Sequence, residues 1–183
     1  MALRNVFSIP EEILYKKSRE VTVFDDKLWV LLDDMHETLQ SHNGVGIAAV
    51  QVGILRRAIV IDIGEGEEVI ELINPTIVQQ KGNQNELEGC LSFSGKWGYV
   101  ERPEYVKIKS QNRYGKSQTH EGTDLLAIVF CHEIDHLEGI MFNDLANEML
   151  DREPTEEEFA ARDKRMGRRA RLRNKNKNKV KKR

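Results

Sequence analysis

Residues 123–138 have the sequence TDLLAIVFCHEIDHLE, the most informative stretch of this chain for its fold. The stretch is apolar almost all round up to Phe130, and Gly139 follows at the position where a helix end favours glycine. A helix that is apolar on every side belongs in the interior of a protein. The sequence therefore predicts a long helix over 123–138 at the centre of the core.

The second half of this helix carries the pattern His-Glu-Ile-Asp-His at 132–136. Histidines four residues apart lie one turn apart on the same face, so His132 and His136 can reach one metal ion. Glu133 is adjacent and can take a proton from water held by that ion. The alternative is a hydrogen-bonded pair of core histidines. The pattern favours a metal site, because two buried histidines and a buried carboxylate are costly without the charge compensation that a metal supplies.

A metal held by two histidines needs a third protein ligand, and the sequence offers three candidates. Cys131 directly precedes His132, so its side chain points about 100° away around the helix and is expected to be a packed thiol. Glu148 is a downstream acid in a polar stretch. Cys90 follows Gly89, which lets the backbone come close to a ligand, and its thiolate suits a soft tetrahedral site. Spacing alone makes Cys90 the better guess among the three.

The segment GVGIAAVQVG, residues 44–53, is rich in small residues. Such a segment would let a peptide backbone approach it, and Gln51 could donate a hydrogen bond from its side-chain amide. Turn chemistry alone favours a different interpretation, a glycine-rich turn between a helix and a strand with Gln51 at the surface. The segment by itself leaves the position of Gln51 open.

Hydrophobic periodicity predicts further elements around the buried helix. Asp25 and Asp26 offer an N-cap for an amphipathic helix over about 26–42, and Thr155 with Glu158 matches the capping box that opens a helix. Short apolar runs predict strands at 58–63, 69–73, 76–79, 98–101 and 106–109. We therefore expect an α+β fold. Short antiparallel β-sheets would pack around the central buried helix with the HEIDH motif, and a C-terminal helix would follow.

Charge divides the chain into two parts. Residues 162–183 hold 13 Lys and Arg against one acid, a net charge of +12, whereas residues 1–161 hold 15 bases and 29 acids, a net charge of −14. We expect a single catalytic domain over 1–161 and a basic C-terminal helix or tail, partly disordered, over 162–183. Two interpretations of this tail are open: it binds nucleic acid through electrostatic attraction, or it is a solvated tail without a partner.

Composition also excludes several classes of protein. No apolar run approaches the roughly 18 residues of a membrane span, and the N-terminus lacks the features of a signal peptide. Two cysteines are too few for a disulfide framework and suit a reducing compartment. We therefore expect a cytoplasmic protein without membrane contact.

Three blocks together resemble the motifs of the peptide deformylase family. They are the glycine-alanine segment ending in Gln at 44–51, Glu-Gly-Cys-Leu-Ser at 88–92 and His-Glu-Ile-Asp-His at 132–136. The resemblance covers roughly residues 1–150. It implies a metal-dependent hydrolase that removes the formyl group from the N-terminal formylmethionine of new polypeptides and releases formate.

The resemblance also implies roles for individual residues. The metal ligands would be Cys90, His132 and His136. Glu133 would be the acid and base of the reaction. Gln51 and the backbone N–H of Leu91 would stabilise the negative charge on the formyl oxygen.

The methionine side chain needs an apolar slot beside the metal. Helical spacing places Leu125, Ile128 and Val129 on the same stripe as the two histidines, so these residues are expected to line that slot. Ordinary core packing is the alternative for these aliphatic side chains. Val45 and Gly46 would form the opposite wall, where the peptide could pair like an added strand.

The resemblance implies Fe²⁺ as the usual metal, with Zn²⁺, Ni²⁺ or Co²⁺ as substitutes, and the donor types suit several of these ions. It implies nascent N-formylmethionyl peptides as substrates. Some enzymes of this kind contact the ribosome through a C-terminal helix, so we expect the basic tail to bind ribosomal RNA through its phosphates. The alternatives are another metallopeptidase or amidase with this metal helix, or a ribosome-associated or RNA-associated protein with a vestigial metal site.

Overall fold

The computed structural model describes residues 2–64 and 68–161, in which runs of consecutive strands are separated by a few helices. The helices are α1 (Asp26–Ser41), α2 (Leu125–Glu138) and α3 (Phe142–Leu145), and residues 156–161 are also helical. The strands are β1 (Gly46–Ala48), β2 (Ala58–Ile61), β3 (Ile70–Lys81), β4 (Gln84–Gly89), β5 (Trp97–Arg102), β6 (Tyr105–Gln111), β7 (Ser117–Thr123) and β8 (Glu148–Leu150). Single 3-10 turns span Glu12–Tyr15, Ala49–Val52 and Leu91–Phe93.

Helix α2 is the buried helix that the sequence predicts. It ends at Gly139, whose φ of 75° is left-handed, as expected for a C-terminal cap. It begins two residues later than predicted, because Thr123 pairs with Tyr105 as the last residue of β7 and Asp124 forms the turn with a φ of 54°. Its apolar side chains join a core cluster with residues of β2, β3 and β6.

Two antiparallel sheets pack against this helix. One has five strands in the order β1-β2-β3-β6-β7, and the other has three in the order β4-β5-β8. Helix α2 contacts strands of both sheets, and α1 packs on β1 and β2 in a second core cluster. The predicted α+β class is therefore confirmed, with antiparallel sheets around the helix that carries the HEIDH motif.

The strands predicted at 69–73 and 76–79 are parts of one strand, β3. Pairing with β6 shifts from Ile73 opposite Gln111 to Thr76 opposite Lys109, so β3 contains one extra residue there. This β-bulge accommodates Asn74, with a φ of 52°, and Pro75, which has no N–H for the ladder. The prediction of two strands was wrong because Pro75 marks a bulge here and not a strand end.

The sequence prediction missed four strands: the three-residue strands β1 and β8, and the longer strands β4 and β7, whose residues are polar. Strand β4 has the sequence QNELEG and β7 has SQTHEGT. Strand β4 nevertheless buries Gln84, Glu86 and Glu88 on alternate positions, so its inward face is polar. A hydrophobic pattern cannot reveal such a strand.

Both predicted N-terminal caps are present. Asp25 accepts a hydrogen bond from the N–H of Leu28 at 3.1 Å at the start of α1. Thr155 and Glu158 form a reciprocal capping box: Thr155 Oγ1 accepts from the N–H of Glu158 at 3.2 Å, and Glu158 Oε2 accepts from the N–H of Thr155 at 2.8 Å. The predicted tail over 162–183 lies outside the described residues.

No helix among the described residues has both the length and the apolar character to span a membrane.

Candidate metal centre

Three potential metal ligands converge where the small sheet meets α2. The Sγ of Cys90 and one ring nitrogen each of His132 and His136 all lie within 4.8 Å of one another. Cys90 Sγ is 3.3 Å from His136 Nε2. The histidines come from successive turns of α2, whereas Cys90 directly follows β4. Strand β4 thus delivers a thiol to a helix 46 residues away in the chain.

The two other candidates for a third ligand lie elsewhere. Cys131 packs in the core cluster around α2, and burial raises the pKa of its thiol to about 12. Glu148 is exposed on β8. Cys90 is therefore the candidate that the structure brings together with the two histidines.

A buried charge network supports the first histidine. Glu88 Oε2 is 2.8 Å from His132 Nδ1, and Arg102 donates two hydrogen bonds to the same carboxylate, at 2.7 and 3.2 Å. Arg102 also donates to Asp135 at 2.5 Å. Burial alone would raise the pKa of Glu88, but the bonds from His132 and Arg102 outweigh it and hold the pKa below its usual range. An ionised Glu88 accepts from Nδ1–H, which leaves Nε2 of His132 with a free lone pair.

Glu133 lies against the segment that contains β1. A Cβ atom placed on Gly46 would lie 2.6 Å from Glu133 Oε1, so only glycine leaves room for the carboxylate there. The side chain is 4% exposed, and its Oε2 has no hydrogen-bond partner within the described residues. Burial raises the pKa of Glu133 to about 7. The carboxyl group is thus poised to exchange a proton near neutral pH.

Gln51 is buried, so the interpretation of this residue as a surface side chain was wrong. Its Oε1 accepts the N–H of Ala48 at 2.8 Å, which determines the orientation of the amide. Its Nε2 therefore points the other way, 3.6 Å from Cys90 Sγ and 3.2 Å from Ser92 Oγ. An N–H donor stands beside the potential metal ligands.

Cys90, His132 and Glu133 line a cleft of about 590 Å³. Every residue predicted to contact substrate lines this cleft: Val45, Gly46, Gly89, Leu125, Ile128 and Val129. Its floor is buried, since Glu133 and Ile128 are each 4% exposed, whereas Val45 at the mouth is 40% exposed. The cleft can thus bury an apolar side chain beside the metal ligands and leave the rest of a bound chain at the surface.

Some residues of the site were missed by the sequence analysis. Glu88 and Asp135 stand inside the recognised motifs, but no role was given to them, and Arg102 and Trp97 were not considered. The usable signal for Glu88 was its place at the start of the block 88–92, since the sequence of β4, QNELEG, shows no alternation of polar and apolar residues. Nothing local marks Arg102, because its partners lie 14 and 33 residues away.

A helix with the pattern His-Glu-x-x-His, a cysteine from a neighbouring sheet and an acid in a cleft define a metal-dependent hydrolase. Comparison with known proteins narrows this class to a family. The family model for polypeptide deformylase matches residues 3–152. The chain belongs to the polypeptide deformylase family, metal-dependent enzymes that remove the N-formyl group from nascent peptides.

Individual relatives agree with this assignment. A peptide deformylase from Caldicellulosiruptor bescii is 49% identical over 164 residues, which cover 90% of this chain and 98% of that protein. One from Alkaliphilus metalliredigens is 54% identical over 144 residues, covering 79% and 97%. The crystal structure of a peptide deformylase from Legionella pneumophila matches with a TM-score of 0.77 and 36% identity, covering 94% of this chain and 98% of that one. The resemblance drawn from the motifs is confirmed, and the alternative functions are not supported.

Proposed function

We propose that Cys90, His132 and His136 bind one divalent metal ion for the deformylation reaction. The observation that carries this proposal is the convergence of their ligand atoms within 4.8 Å beside a buried carboxylate. Ligands at 2.0–2.3 Å from one ion must lie about this close together. One thiolate and two imidazoles match the donor types of such sites, and the free Nε2 of His132 is available because Nδ1 faces Glu88.

The proposed native metal is Fe²⁺, with Zn²⁺, Ni²⁺ or Co²⁺ as substitutes. The resemblance of the three motifs to the family supports iron. The donor set supports the substitute metals, because two imidazoles and one thiolate bind several divalent first-row ions.

Glu133, Gln51 and Leu91 have different roles in the proposed hydrolysis. When bound, a divalent ion supplies Lewis-acid chemistry, lowering the pKa of a water and polarising the formyl carbonyl. Glu133 accepts the proton of the attacking water and returns it to the departing amine, so that formate is released. Gln51 Nε2 and the backbone N–H of Leu91 donate hydrogen bonds to the formyl oxygen as negative charge develops there. Leu91 opens a 3-10 turn, where an N–H has no partner inside its own helix.

The substrate methionine is proposed to enter the apolar part of the cleft. Leu125, Ile128 and Val129 line that part from α2. The peptide backbone would run along Val45 and Gly46, next to the short strand β1. Gly89 also lines the cleft, and its missing side chain leaves room for the ring of Trp97.

Formate release from formyl-Met-Ala-Ser tests the activity, with the unformylated peptide as the control for peptidase action. We expect one formate per formylated peptide and no cleavage of the control. Anomalous diffraction at the edge of the bound metal tests the ligand set. A metal peak bound by Cys131 or Glu148 instead of Cys90 would contradict it.

The basic segment 162–183 is proposed to bring the catalytic domain, residues 1–161, to ribosomal RNA in the cytoplasm. The support is its net charge of +12 next to a domain of −14. Such attraction depends on phosphates, so it is independent of sequence and weakens steeply with salt. Co-sedimentation with ribosomes at low salt tests it, comparing the full chain with a deletion of residues 162–183. Equal ribosome binding by both would refute the docking role, and the tripeptide assay on the deletion reports whether the catalytic domain is intact.

A further inference from the structure

We infer that the helix beginning after Thr155 belongs to the substrate-binding apparatus, because it holds Trp97 in place as a wall of the cleft. Trp97 would contact the peptide side chains that follow the formylmethionine. Phe159 and Glu153 would act through it as positioning residues. The inference rests on the proposed function of the cleft.

Trp97 stands next to the proposed metal ligands although it is seven residues from Cys90 in the sequence. It is the first residue of β5 and pairs with Gly89 of β4, which directly precedes Cys90. Its ring packs on the backbone of Gly89, since a Cβ placed there would meet three ring carbons at 2.8–3.0 Å. The half-buried side chain lines the cleft.

Two contacts from the C-terminal segment hold this indole. Its Nε1–H donates to Glu153 Oε2 at 2.9 Å. The ring of Phe159 meets it edge-on, with centroids 5.0 Å apart and an angle of 81° between the planes. Edge-to-face pairs of this geometry are favourable beyond the area they bury. Together the two contacts restrain the position of the ring.

The segment that provides these contacts is itself anchored. The capping box between Thr155 and Glu158 starts the helix, and both guanidinium nitrogens Nη1 and Nη2 of Arg152 donate to the Glu158 carboxylate at 2.7 and 2.9 Å. Phe159 follows immediately, on the first turn. The local geometry of residues 152–159 therefore sets the position of the indole.

The depth of the cleft indicates which part of the substrate meets Trp97. The reacting end lies on the floor, where Glu133 and Ile128 are buried. The rest of the peptide must leave through the mouth, whose lining includes half-buried Trp97 and Leu91 and exposed Val45. Polar His42, Asn43, Ser94 and Lys96 line the cleft as well, but the bodies of these three side chains form an apolar surface on which residues after the methionine can pack.

Deformylation of two formyl-peptides by the full-length metal-loaded enzyme tests this inference. The substrates are formyl-Met-Leu-Phe, with apolar side chains after the methionine, and formyl-Met-Ala-Ser. Phe159→Ala is expected to raise the KM for formyl-Met-Leu-Phe relative to that for formyl-Met-Ala-Ser by about two- to tenfold. Trp97→Ala should change the same ratio in the same direction by at least as much, and Trp97→Phe by less. Tyr114→Ala is the matched control, since it removes the edge-to-face partner of Trp29 outside the cleft.

Fluorescence provides a second readout that does not depend on turnover. The chain has two tryptophans, so Trp97 is the single emitter in a Trp29→Phe background. Addition of the product peptide Met-Leu-Phe should change its emission, and Phe159→Ala should lower its anisotropy. If Phe159→Ala fails to fold, Phe159→Leu, which keeps apolar bulk, replaces it in both measurements.

An unchanged KM ratio in the Trp97 and Phe159 variants, or emission that does not respond to product, would overturn the inference. Neither result would contradict the proposed metal ligands or the deformylase activity. A fall in kcat of equal size for both substrates would also overturn the inference. A parent enzyme that released no formate from either peptide would instead refute the proposed site.

Discussion

Replacing Gly46 by alanine should reduce deformylation without unfolding the protein. The added Cβ would lie 2.6 Å from Glu133 Oε1 and 2.9 Å from Val129 Cγ1, whereas ordinary contact begins at 3.4 Å. The nearer contact needs a shift of about 0.8 Å, the difference between 3.4 and 2.6 Å. Both clashing atoms are at the ends of side chains, so the carboxylate moves before the backbone does.

A displacement of this size acts on the rate because the proton acceptor must be within hydrogen-bond reach of the water. A misplacement of about 1 Å can slow catalysis by about 100-fold. We therefore expect kcat to fall by about 10- to 100-fold, which corresponds to about 1.4–2.7 kcal/mol in the barrier. The bound metal should be retained, because no proposed ligand is touched.

The assay is formate release from formyl-Met-Ala-Ser, with metal content and thermal midpoint measured on the same preparation. Gly98→Ala is the control, since its Cβ would lie 2.7 Å from Met149 Sδ, outside the lining of the cleft. That variant should lose stability while keeping its turnover per folded enzyme. A Gly46→Ala enzyme with full metal content and a kcat within a factor of two of the parent would show that the position of Glu133 does not limit the reaction.

Three substitutions and one labelling experiment test the proposed roles. Glu133→Gln should keep metal and fold but lose most formate release, because an amide cannot accept the proton; near-parental turnover would exclude Glu133 as the base. Gln51→Ala should reduce kcat by about 10²- to 10³-fold, the usual effect of losing an oxyanion donor, and a change confined to KM would contradict that role. Glu88→Gln should weaken metal affinity by about 10- to 100-fold in a chelator competition, and unaltered affinity would remove the carboxylate from metal support. In the metal-free folded enzyme at pH 8, a thiol reagent should label Cys90 rapidly and Cys131 only after denaturation, because burial keeps the second thiol protonated and covered; fast labelling of both would contradict that.

The features that the sequence predicted correctly are those that depend on local patterns. The apolar stretch with Gly139 behind it determined helix α2, and the i,i+4 spacing put His132 and His136 on one face. The capping box at Thr155 also formed as its sequence indicated. Each of these features depends on residues within a few positions of one another, so short-range geometry is sufficient.

Other features depended on contacts between distant segments. The hydrophobic pattern missed β4 and β7 because their residues are polar, so only their pairing with β5 and β6 identifies them as strands. It divided β3 at Pro75, because a bulge is a property of two paired strands and not of one sequence.

The three motifs were sufficient to indicate the family, the metal helix and the candidate ligands, base and oxyanion donors. The structure placed Cys90 beside the two histidines, as spacing and the family motifs had indicated, and it buried Gln51, which turn chemistry had placed at the surface. It also assembled the Glu88 and Arg102 network and brought Trp97 to the cleft. The charge network and the ligand group depend on the antiparallel register of β4 with β5 and on the packing of that sheet against α2. These contacts join Glu88 to Arg102, 14 positions apart, and Cys90 to His136, 46 positions apart, so no short segment of sequence specifies them.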